Sequence, residues 1–243
     1  MSDSGDSDFA WRYNEYFDIV HADTPALIDE VYRLRYQVYC LEHPFENAAE
    51  HSDGRERDED DDRSVYTLLV HRQTGDFAGT ARAILPKDVQ RRPLPIHRIL
   101  ASQNGGLTNR FPAHSTAEIS RFAVSKEFRR RRGEERYADA NVSGAAPTLP
   151  TERQMIPYIT FGLIRGIVEM CREHEISHIS AVMEPPLIRI LGRFGLHFEA
   201  IGVLVEFHGM RQPCVASIAD LVERNRAEGT LLWQYTGKYA AGL

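Results

Sequence analysis

The sequence predicts an α+β (mixed α/β) domain built on one central sheet. Three observations favour this class. The chain has 243 residues, of which 42% are apolar, which suits a sizeable core. Its apolar residues change along the chain between helical spacing and strict alternation. Antiparallel pairs are combined with a strand–helix–strand crossover, and no glycine-rich nucleotide motif follows a predicted strand, which argues against a doubly wound dinucleotide fold.

Composition and charge exclude several classes of protein. No run of about 18 apolar residues is present, so we expect no transmembrane segment. The acidic start, MSDSGDSD, lacks the features of a secretory signal. Cys40, Cys171 and Cys214 are widely separated, which is typical of reduced thiols in a cytoplasmic protein. The net charge of −6 argues against a dedicated nucleic-acid binder.

The first predicted elements are a short strand and an amphipathic helix. Residues 1–15 are expected to form a flexible segment ahead of a single domain at 16–243, and a strand is predicted at 16–20. Thr24 and Pro25 are typical of a helix start, and the helix is expected to reach residue 42. Its apolar face has helical spacing and consists of Leu27, Val31, Leu34 and Val38.

An acidic segment and a hairpin follow. Residues 50–63 contain eight carboxylates and three arginines, a composition that on its own is typical of a solvated loop. Residues 65–71 and 77–85 are separated by a turn and predict an antiparallel hairpin. Residues 86–115 are expected to be irregular.

The rest of the chain predicts strands that alternate with helices. Residues 117–124 form a strand in which strict alternation places Glu118 and Arg121 on opposite faces unless the strand bulges. The later elements are a helix at 153–174, a strand at 178–183, a helix at 185–195, a long strand at 196–207 and a helix at 217–229.

Two groups of charged residues lie before the hairpin. Arg35 lies beside Tyr39 on the predicted helix, where a guanidinium can hold a carboxylate or a phosphate or simply pack on the ring. Glu56, Asp58 and Asp61 are close in sequence, and clustered carboxylates tend to bind cations, amines or arginine. Their spacing does not fit a calcium loop, and a solvated loop is the alternative.

Two further groups belong to the third strand and the turn after it. Glu118, Arg121 and Arg82 are compatible with a carboxylate base beside guanidinium anchors, or with a structural ion pair. The basic run Arg129–Arg132 with Gly133 can hold a pyrophosphate or a phosphopantetheine arm, or dock an acidic carrier protein. A loop without a partner is the alternative for this run.

Four segments, in this order, resemble the Gcn5-related N-acyltransferase (GNAT) family. They are YRLRYQVYCLE (32–42), ERDEDD (56–61), GTARAILP (79–86) and AEISRFAV (117–124). The chain is most similar to the branch of acyl-homoserine-lactone synthases and N-acyl amino acid synthases, and residues 183–214 look most like exosortase-associated (PEP-CTERM system) acyltransferases. The resemblance covers roughly residues 16–215. It implies a GNAT-like, mostly antiparallel sheet with a splayed strand pair, flanked by helices.

The resemblance also implies roles for individual residues. Glu118 would help deprotonate the acceptor amine, and Ser120 and Arg121 would complete the catalytic set. The acceptor would be bound by Arg35, Tyr39, Asp58, Asp61 and Arg82. The donor would be held by Phe122, Ala123, Val124, Arg129, Arg130, Arg131, Arg132 and Gly133. Apolar candidates for an acyl tunnel are Ile156, Phe161, Leu163, Ile164, Ile167, Phe194 and Phe198. We expect neither a metal nor a tightly bound cofactor.

Two departures from the family pattern shape the hypothesis. Glu135 occupies a position where a small residue belongs, and a carboxylate there would repel the phosphates of CoA. We therefore expect acyl carrier protein, rather than acyl-CoA, to be the donor. Leu191 stands where the family has a tyrosine general acid.

The resulting hypothesis is an N-acyltransferase that moves a fatty acyl group from a carrier-protein thioester to the amine of a small polar acceptor, such as an amino acid or a derivative. The lipid product would lie near a membrane. The alternatives are a CoA-dependent GNAT enzyme and a catalytically silent module that binds acyl groups or metabolites. Nucleic-acid binding through Arg129–Arg132 would instead predict a steep dependence on salt.

Overall fold

The computed structural model describes residues 6–88, 90–103, 111–128, 158–206 and 209–237. Within these ranges, an eight-stranded sheet has the order β1-β2-β3-β4-β5-β8-β6, and β7 pairs with β8. The strands are β1 Phe17–His21, β2 Ser64–His71, β3 Phe77–Ile84, β4 Thr116–Val124, β5 His178–Met183, β6 Glu199–Ala200, β7 Val205–Glu206 and β8 Met210–Ser217. Every pair is antiparallel except β4–β5, which is parallel. The predicted fold class and the predicted hairpin are confirmed.

Seven α-helices accompany the sheet in the described residues. They are α1 Asp6–Tyr16, α2 Pro25–Tyr36, α3 Pro95–Ala101, α4 Ile159–Glu173, α5 Pro185–Arg193, α6 Ile218–Glu228 and α7 Leu231–Thr236. The predicted start of α2 is confirmed, because the Thr24 hydroxyl accepts a hydrogen bond from the N–H of Leu27. A π-helical segment, Gln37–Glu42, continues α2.

The helices form a layer on each face of the sheet. On one face, Val31 and Leu34 of α2 pack against Tyr66 and Leu68 of β2. Residues of α3 pack on the same face, in a cluster with Ile84 of β3. On the opposite face, the apolar side of α4 covers the alanines of β3 and β4, in a cluster that also includes residues of α1, α6 and α7. No helix in the described part of the chain is long and apolar enough to cross a membrane.

The N-terminal segment differs from the expectation of a flexible stretch at 1–15. Residues Asp6–Tyr16 form α1. Tyr13 is fully buried, and its hydroxyl donates to the carbonyl of Ile159 and accepts from the N–H of Gly162. Tyr13 therefore ties the helix to the start of α4, and the ring of Phe9 packs there as well, against Tyr158 and Phe161.

The predicted strand at 196–207 is wrong in its extent. Only Glu199–Ala200 and Val205–Glu206 form strands in the described part of this range. The side chain of Gln103 accepts a hydrogen bond from the N–H of Val203 and donates to its carbonyl. These backbone groups are therefore satisfied by a side chain, and the ladder stops between β6 and β7.

Three further elements were not predicted from the sequence. Helix α3 lies inside the region expected to be irregular, although Pro95 occupies the first turn of the helix in the usual way. Strand β8 contains Pro213 and lacks alternation, so its sequence is not typical of a strand, yet it pairs with β5 along six positions. Helix α7 has only six residues, too few for a clear periodic signal.

Candidate active site

The gap in the sheet lies between β4 and β5. Their parallel pairing covers only three positions and ends where Glu118 faces Ser180. Beyond that point β5 continues to Met183 and pairs only with β8, whereas β4 continues to Val124 and pairs only with β3. The second half of β4, including Phe122, therefore borders a gap in the sheet, as the resemblance implied.

A bulge in β4 at Arg121 decides which side chains meet. Arg121 has a φ of +48°, and both Arg121 and Phe122 lie opposite Ala81 of β3. Ser120 contacts Arg82, and Arg121 contacts Glu56, so these two consecutive side chains lie on the α2 face. The bulge brings Arg121 onto the face that carries Glu118, the condition under which the two residues could act together.

Six residues form one network of ion pairs, which we call the charged cluster: Arg35, Arg82, Arg121, Glu56, Asp58 and Asp61. Arg35 on α2 binds Glu56 at 2.5 Å and Asp61 at 2.7 Å. Arg82 on β3 binds Asp58 at 2.6 Å and Asp61 at 2.8 Å. Arg121 on β4 binds Glu56 at 3.0 Å and Asp58 at 3.2 Å. All four segments that carry the resemblance thus meet at one place.

The electrostatics of the charged cluster keep Glu56 and Asp61 ionised. Burial opposes ionisation of Glu56, but hydrogen bonds from Arg35 and Arg121 outweigh it and lower the pKa of this carboxyl to about 2. Burial likewise opposes ionisation of Asp61, and the charges of Arg35 and Arg82 lower its pKa to about 2. The solvated-loop interpretation of residues 50–63 is wrong for these side chains, because they are buried against arginines.

Glu118 has a different environment from the charged cluster. It is 5% exposed and has no ion-pair partner among the described residues. Its carboxylate accepts a hydrogen bond of 2.8 Å from the N–H of Ile96 in the first turn of α3. Burial raises the pKa of Glu118 to about 7, although the Ile96 N–H and the charge of Arg82 act in the opposite direction. A carboxylate with this pKa can take up a proton near neutral pH, as a general base must.

Ser120 and Tyr39 hold other groups in place. The Ser120 hydroxyl accepts a hydrogen bond of 2.9 Å from Arg82 Nε. The Tyr39 hydroxyl donates to the carbonyl of Phe122 at 3.1 Å, and the Arg121 guanidinium lies over the Tyr39 ring. Tyr39 therefore joins the π-helical segment that follows α2 to the half of β4 that borders the gap.

A cavity of about 650 Å³ connects the charged cluster with the interior through this gap. Glu118, Arg82, Asp58 and Arg121 line its polar end. The predicted donor residues on β4 that line it are Phe122, Ala123 and Val124. Its interior is apolar and runs beneath the sheet along α4. The size and lining suit a ligand with a polar head and an extended apolar part.

Only some of the residues predicted to form an acyl tunnel line the cavity. Those that line the cavity are Ile164, Ile167, Phe194 and Phe198, and Leu191 lines it as well. Phe161 and Leu163 instead belong to the packed core, because they are fully buried without lining the cavity. Ile156 lies outside the described residues, as do Glu135 and the predicted donor residues Arg129, Arg130, Arg131, Arg132 and Gly133.

Sequence reasoning missed the contribution of α3 to the polar end. Pro95, Arg98 and Ile99 line the cavity there, and Arg98 pairs with Glu59 at 2.7 Å. It also missed Glu46, which pairs with Arg121 at 3.2 Å. Pro95 before a short apolar stretch was an available signal for α3, whereas nothing in the sequence links Glu46 to a strand 75 residues away.

The comparisons with known proteins agree with this geometry. Residues 34–138 match the family model described as an acetyltransferase (GNAT) domain. This range contains the charged cluster and Glu118. No curated protein matches the chain.

Solved structures resemble most of the chain at low identity. TofI, in a ternary complex with an inhibitor and MTA, is 21% identical, covering 85% of this chain and 96% of its own, with a TM-score of 0.57. The CoA-dependent acyl-homoserine lactone synthase BjaI, with SAM and isopentyl-CoA, is 17% identical. The match covers 88% of this chain and 90% of BjaI, and its TM-score is also 0.57. FeeM, an N-acyl amino acid synthase from uncultured soil microbes, is 14% identical. The match covers 90% of this chain and 96% of FeeM, with a TM-score of 0.50. The chain therefore has a GNAT-like fold, and together with the family match this fold supports an acyltransferase.

Proposed function

We propose that the protein is an N-acyltransferase that transfers a fatty acyl group from a thioester donor to the amine of a small polar acceptor. The observation that carries this proposal is the cavity, which joins a buried carboxylate and the charged cluster to an apolar interior through the gap between β4 and β5. A polar acceptor would lie at the charged end, and the donor would enter the gap with its acyl chain beneath the sheet.

The chemistry assigns Glu118 the role of general base. An ammonium must lose a proton before its nitrogen can attack a thioester, and Glu118 takes that proton directly or through water. The nitrogen then bonds to the thioester carbon, the carbon–sulfur bond breaks, and the second proton lost by the nitrogen passes to the departing thiolate, directly or through water, to give a neutral amide and a thiol. A positioned base contributes roughly 10²–10⁴-fold to such a rate. Backbone N–H groups of Phe122–Val124 would stabilise the tetrahedral oxyanion.

The charged cluster would orient the acceptor rather than carry out proton transfer. Asp58 is its most exposed carboxylate, at 28%, and it lies in the cavity wall between Arg82 and Arg121. It is therefore placed to attract an ammonium while the two arginines attract an acid group. An amino acid or a derivative carries both charges. BjaI, which has the same fold, binds SAM, and FeeM is an N-acyl amino acid synthase.

We propose a fatty acyl rather than an acetyl group, because the cavity is much larger than an acetyl group needs. We propose acyl carrier protein as its donor, because Glu135 disfavours CoA phosphates. The link to exosortase systems stays a prediction.

The cysteines suit the proposed cytoplasmic location. Cys40, Cys171 and Cys214 are buried, reduced thiols, and burial raises the pKa of each thiol.

The test is a reconstituted reaction. Purified protein is incubated with dodecanoyl carrier protein and a mixture of amino acids and their derivatives, and amide-linked products are identified by mass spectrometry. We expect an N-dodecanoyl product that is lost in the Glu118→Gln variant. Absence of amide formation with every thioester and amine would overturn the proposal and favour a binding module without catalysis.

A CoA-dependent enzyme is the second candidate, because BjaI shares the fold and is described as CoA-dependent. Donor competition separates the two. Inhibition of dodecanoyl transfer by free acyl carrier protein but not by CoA supports the first proposal, whereas the reverse result supports the second.

A further inference from the structure

Glu118 caps the start of α3 from the neighbouring strand. Leu94 occupies the N-cap position without a side-chain cap, and Pro95 in the first turn has no N–H. Ile96 therefore carries the first N–H of this helix that needs an acceptor, and it donates to the Glu118 carboxylate at 2.8 Å. The surroundings of the proposed general base thus depend on where α3 begins.

Arg63, at the end of the acidic segment 50–63, holds the chain that leads into α3. Its guanidinium donates to the carbonyl of Arg92 and, at 3.1 Å, to the carbonyl of Pro93. It also binds the Asp60 carboxylate through Nε at 3.0 Å and through Nη2 at 2.6 Å. Both side chains of this ion pair are buried. One buried guanidinium therefore fixes two successive carbonyls while a carboxylate balances its charge.

The chain between this anchor and Ile96 is stiff. Pro93 and Pro95 each hold φ at about −65° and flank Leu94. A residue before a proline favours an extended conformation, and Leu94 has a ψ of 149°. Leu94 and Ile96 are also fully buried, in the cluster that contains Ile84 of β3. The place of the Pro93 carbonyl therefore determines the direction of the Ile96 N–H.

The sheet brings Arg63 close to Glu118 as well. Ser64 of β2 pairs with Ile84 of β3, and Ile84 pairs with Glu118 of β4. Arg63 directly precedes this row, and its carbonyl accepts a hydrogen bond of 3.0 Å from the N–H of Leu85. The anchor of α3 and the proposed base therefore lie at the same end of the sheet.

The groups that act on Glu118 come from α3, β3 and the acidic segment, and they are the Ile96 N–H, Arg82, Asp60 and Arg63. Burial raises the pKa of Glu118, the N–H and the two arginines lower it, and Asp60 raises it. On β5 the residue opposite Glu118 is Ser180, which carries no charge. Loss of Arg63 removes a positive charge, leaves Asp60 without this counter-charge and loosens the Ile96 N–H. Each of these changes raises the pKa of Glu118.

We propose that Arg63 is a positioning residue for the general base, because it holds the start of α3 so that the Ile96 N–H stays on the Glu118 carboxylate. This inference rests on the proposed function, since it adds a residue to the machinery of the same base. Arg63 is not among the described residues that line the cavity, so it acts through α3 and Glu118 rather than on a substrate.

The direct test follows the Ile96 amide by nuclear magnetic resonance, which does not depend on turnover. The resonance of an amide that donates to a carboxylate shifts when the carboxylate is protonated. We expect the Ile96 amide of the parent protein to titrate with a midpoint of about 7 and this titration to be absent in Glu118→Gln.

Two substitutions of Arg63 separate position from charge. Lysine keeps the charge beside Asp60 but cannot bridge that carboxylate and both carbonyls. We expect Arg63→Lys to raise the midpoint by roughly half a unit, with faster hydrogen exchange of the Ile96 amide. Arg63→Met also removes the charge, and we expect a rise of roughly one unit or more. Arg63→Lys keeps the test decisive if Arg63→Met does not fold.

The acyl-transfer assay gives a second readout. In both Arg63 variants the base is harder to deprotonate, so kcat/KM should fall most near pH 7 and recover in alkaline solution. A merely structural role would lower kcat/KM by the same factor at every pH. Arg57→Met is the matched control, because it removes an arginine of the same acidic segment whose pair with Asp53 lies at the surface. We expect it to keep the midpoint and the pH profile of the parent.

The outcomes separate the inference from the proposed function. Circular dichroism establishes that each variant is folded. If the Ile96 amide of folded Arg63→Lys titrates and exchanges as in the parent, or if the parent shows no titration that depends on Glu118, the inference is overturned even where amide formation is observed. If the midpoint rises as expected but no amide forms with any thioester and amine, Arg63 still positions Glu118 and the proposed function fails.

Discussion

The two ends of the cavity are built in opposite ways. At the charged end, protein groups occupy the space, and Arg35 lies fully buried between Glu56 and Asp61. At the apolar end, the side chains of α4 and α6 leave space between them. Buried charges left without partners cost far more than an apolar void, so the charged end is completed within the protein while the apolar end can stay open. We therefore expect the charged end to orient the acceptor with groups that are already in place, whereas selectivity at the apolar end would come from a ligand that fills the space.

The largest expected effect is a loss of catalysis on substitution of Glu118 at the charged end. Glu118→Gln keeps an oxygen that can accept the Ile96 hydrogen bond but removes the base. We expect kcat to fall by roughly 10²–10⁴-fold in the acyl-transfer assay, with dodecanoate affinity unchanged. The matched control is Glu127→Gln, which alters an exposed carboxylate just beyond β4 and leaves kcat unchanged. Equal kcat values for the two variants would show that Glu118 is not the general base.

The second prediction concerns the stability of the charged end. Arg35→Met leaves Glu56 and Asp61 buried with fewer cationic partners. We expect the free energy of unfolding in urea to fall by about 3–5 kcal/mol. Arg57→Met is the control, because Arg57 is half-exposed and its ion pair with Asp53 lies at the surface, so its effect stays within about 0.5 kcal/mol. A similar fall in the free energy of unfolding in both variants would contradict the view that Glu56 and Asp61 need Arg35 to stay buried as charged groups.

The third prediction follows from the pKa of Glu118, which burial raises to about 7. The base is active when deprotonated, so kcat/KM should rise with pH through about 7 and level off above it. The stability of the fold changes with pH in the opposite direction to the activity. Between the ordinary value of 4.5 and about 7, the folded state binds more protons than the unfolded state, so stability falls as pH rises. Glu118→Gln should abolish both trends, and a rising limb of activity that survives the substitution would belong to another group.

The smallest expected effect lies away from the cavity, where His21 on β1 contacts Glu169 and Glu173 on α4, each at 3.2 Å. The hydrogen bond to Glu169 raises the pKa of His21 although burial opposes the shift. Its stabilisation is complete below the ordinary value of 6.5 and is lost as pH rises through the raised pKa.

We therefore expect His21→Gln to cost roughly 0.2–1 kcal/mol in acid and nothing in alkaline solution, as measured by urea unfolding. A loss that is independent of pH would mean that packing, rather than charge, holds β1 to α4.

The sequence could predict the parts of the site that depend on local pattern. Alternation identified β4, and helical spacing identified α2, so Arg35, Arg82, Glu118 and Arg121 were placed on neighbouring elements. The meeting of Arg121 and Glu118 on one face depends on a bulge at a non-glycine residue with positive φ, which alternation does not reveal. The solvated-loop alternative failed at Glu56 for a related reason, since its burial depends on arginines distant in sequence.

The C-terminal half was harder to predict because tertiary contacts override local preference there. Gln103 interrupts the strand expected at 196–207, and β8 is a strand through its pairing with β5 rather than through its composition. Since β8 and the short helix α7 were not predicted, the sequence could not show which C-terminal residues line the cavity.

The central claim is that the thioester reaches Glu118 through the gap between β4 and β5. A crystal structure with a thioether analogue of dodecanoyl-pantetheine tests it directly. We expect the analogue's carbonyl group to lie between Phe122 and Met183, facing Glu118, with the alkyl chain along α4. An analogue bound elsewhere, with the gap left to protein or solvent, would contradict it.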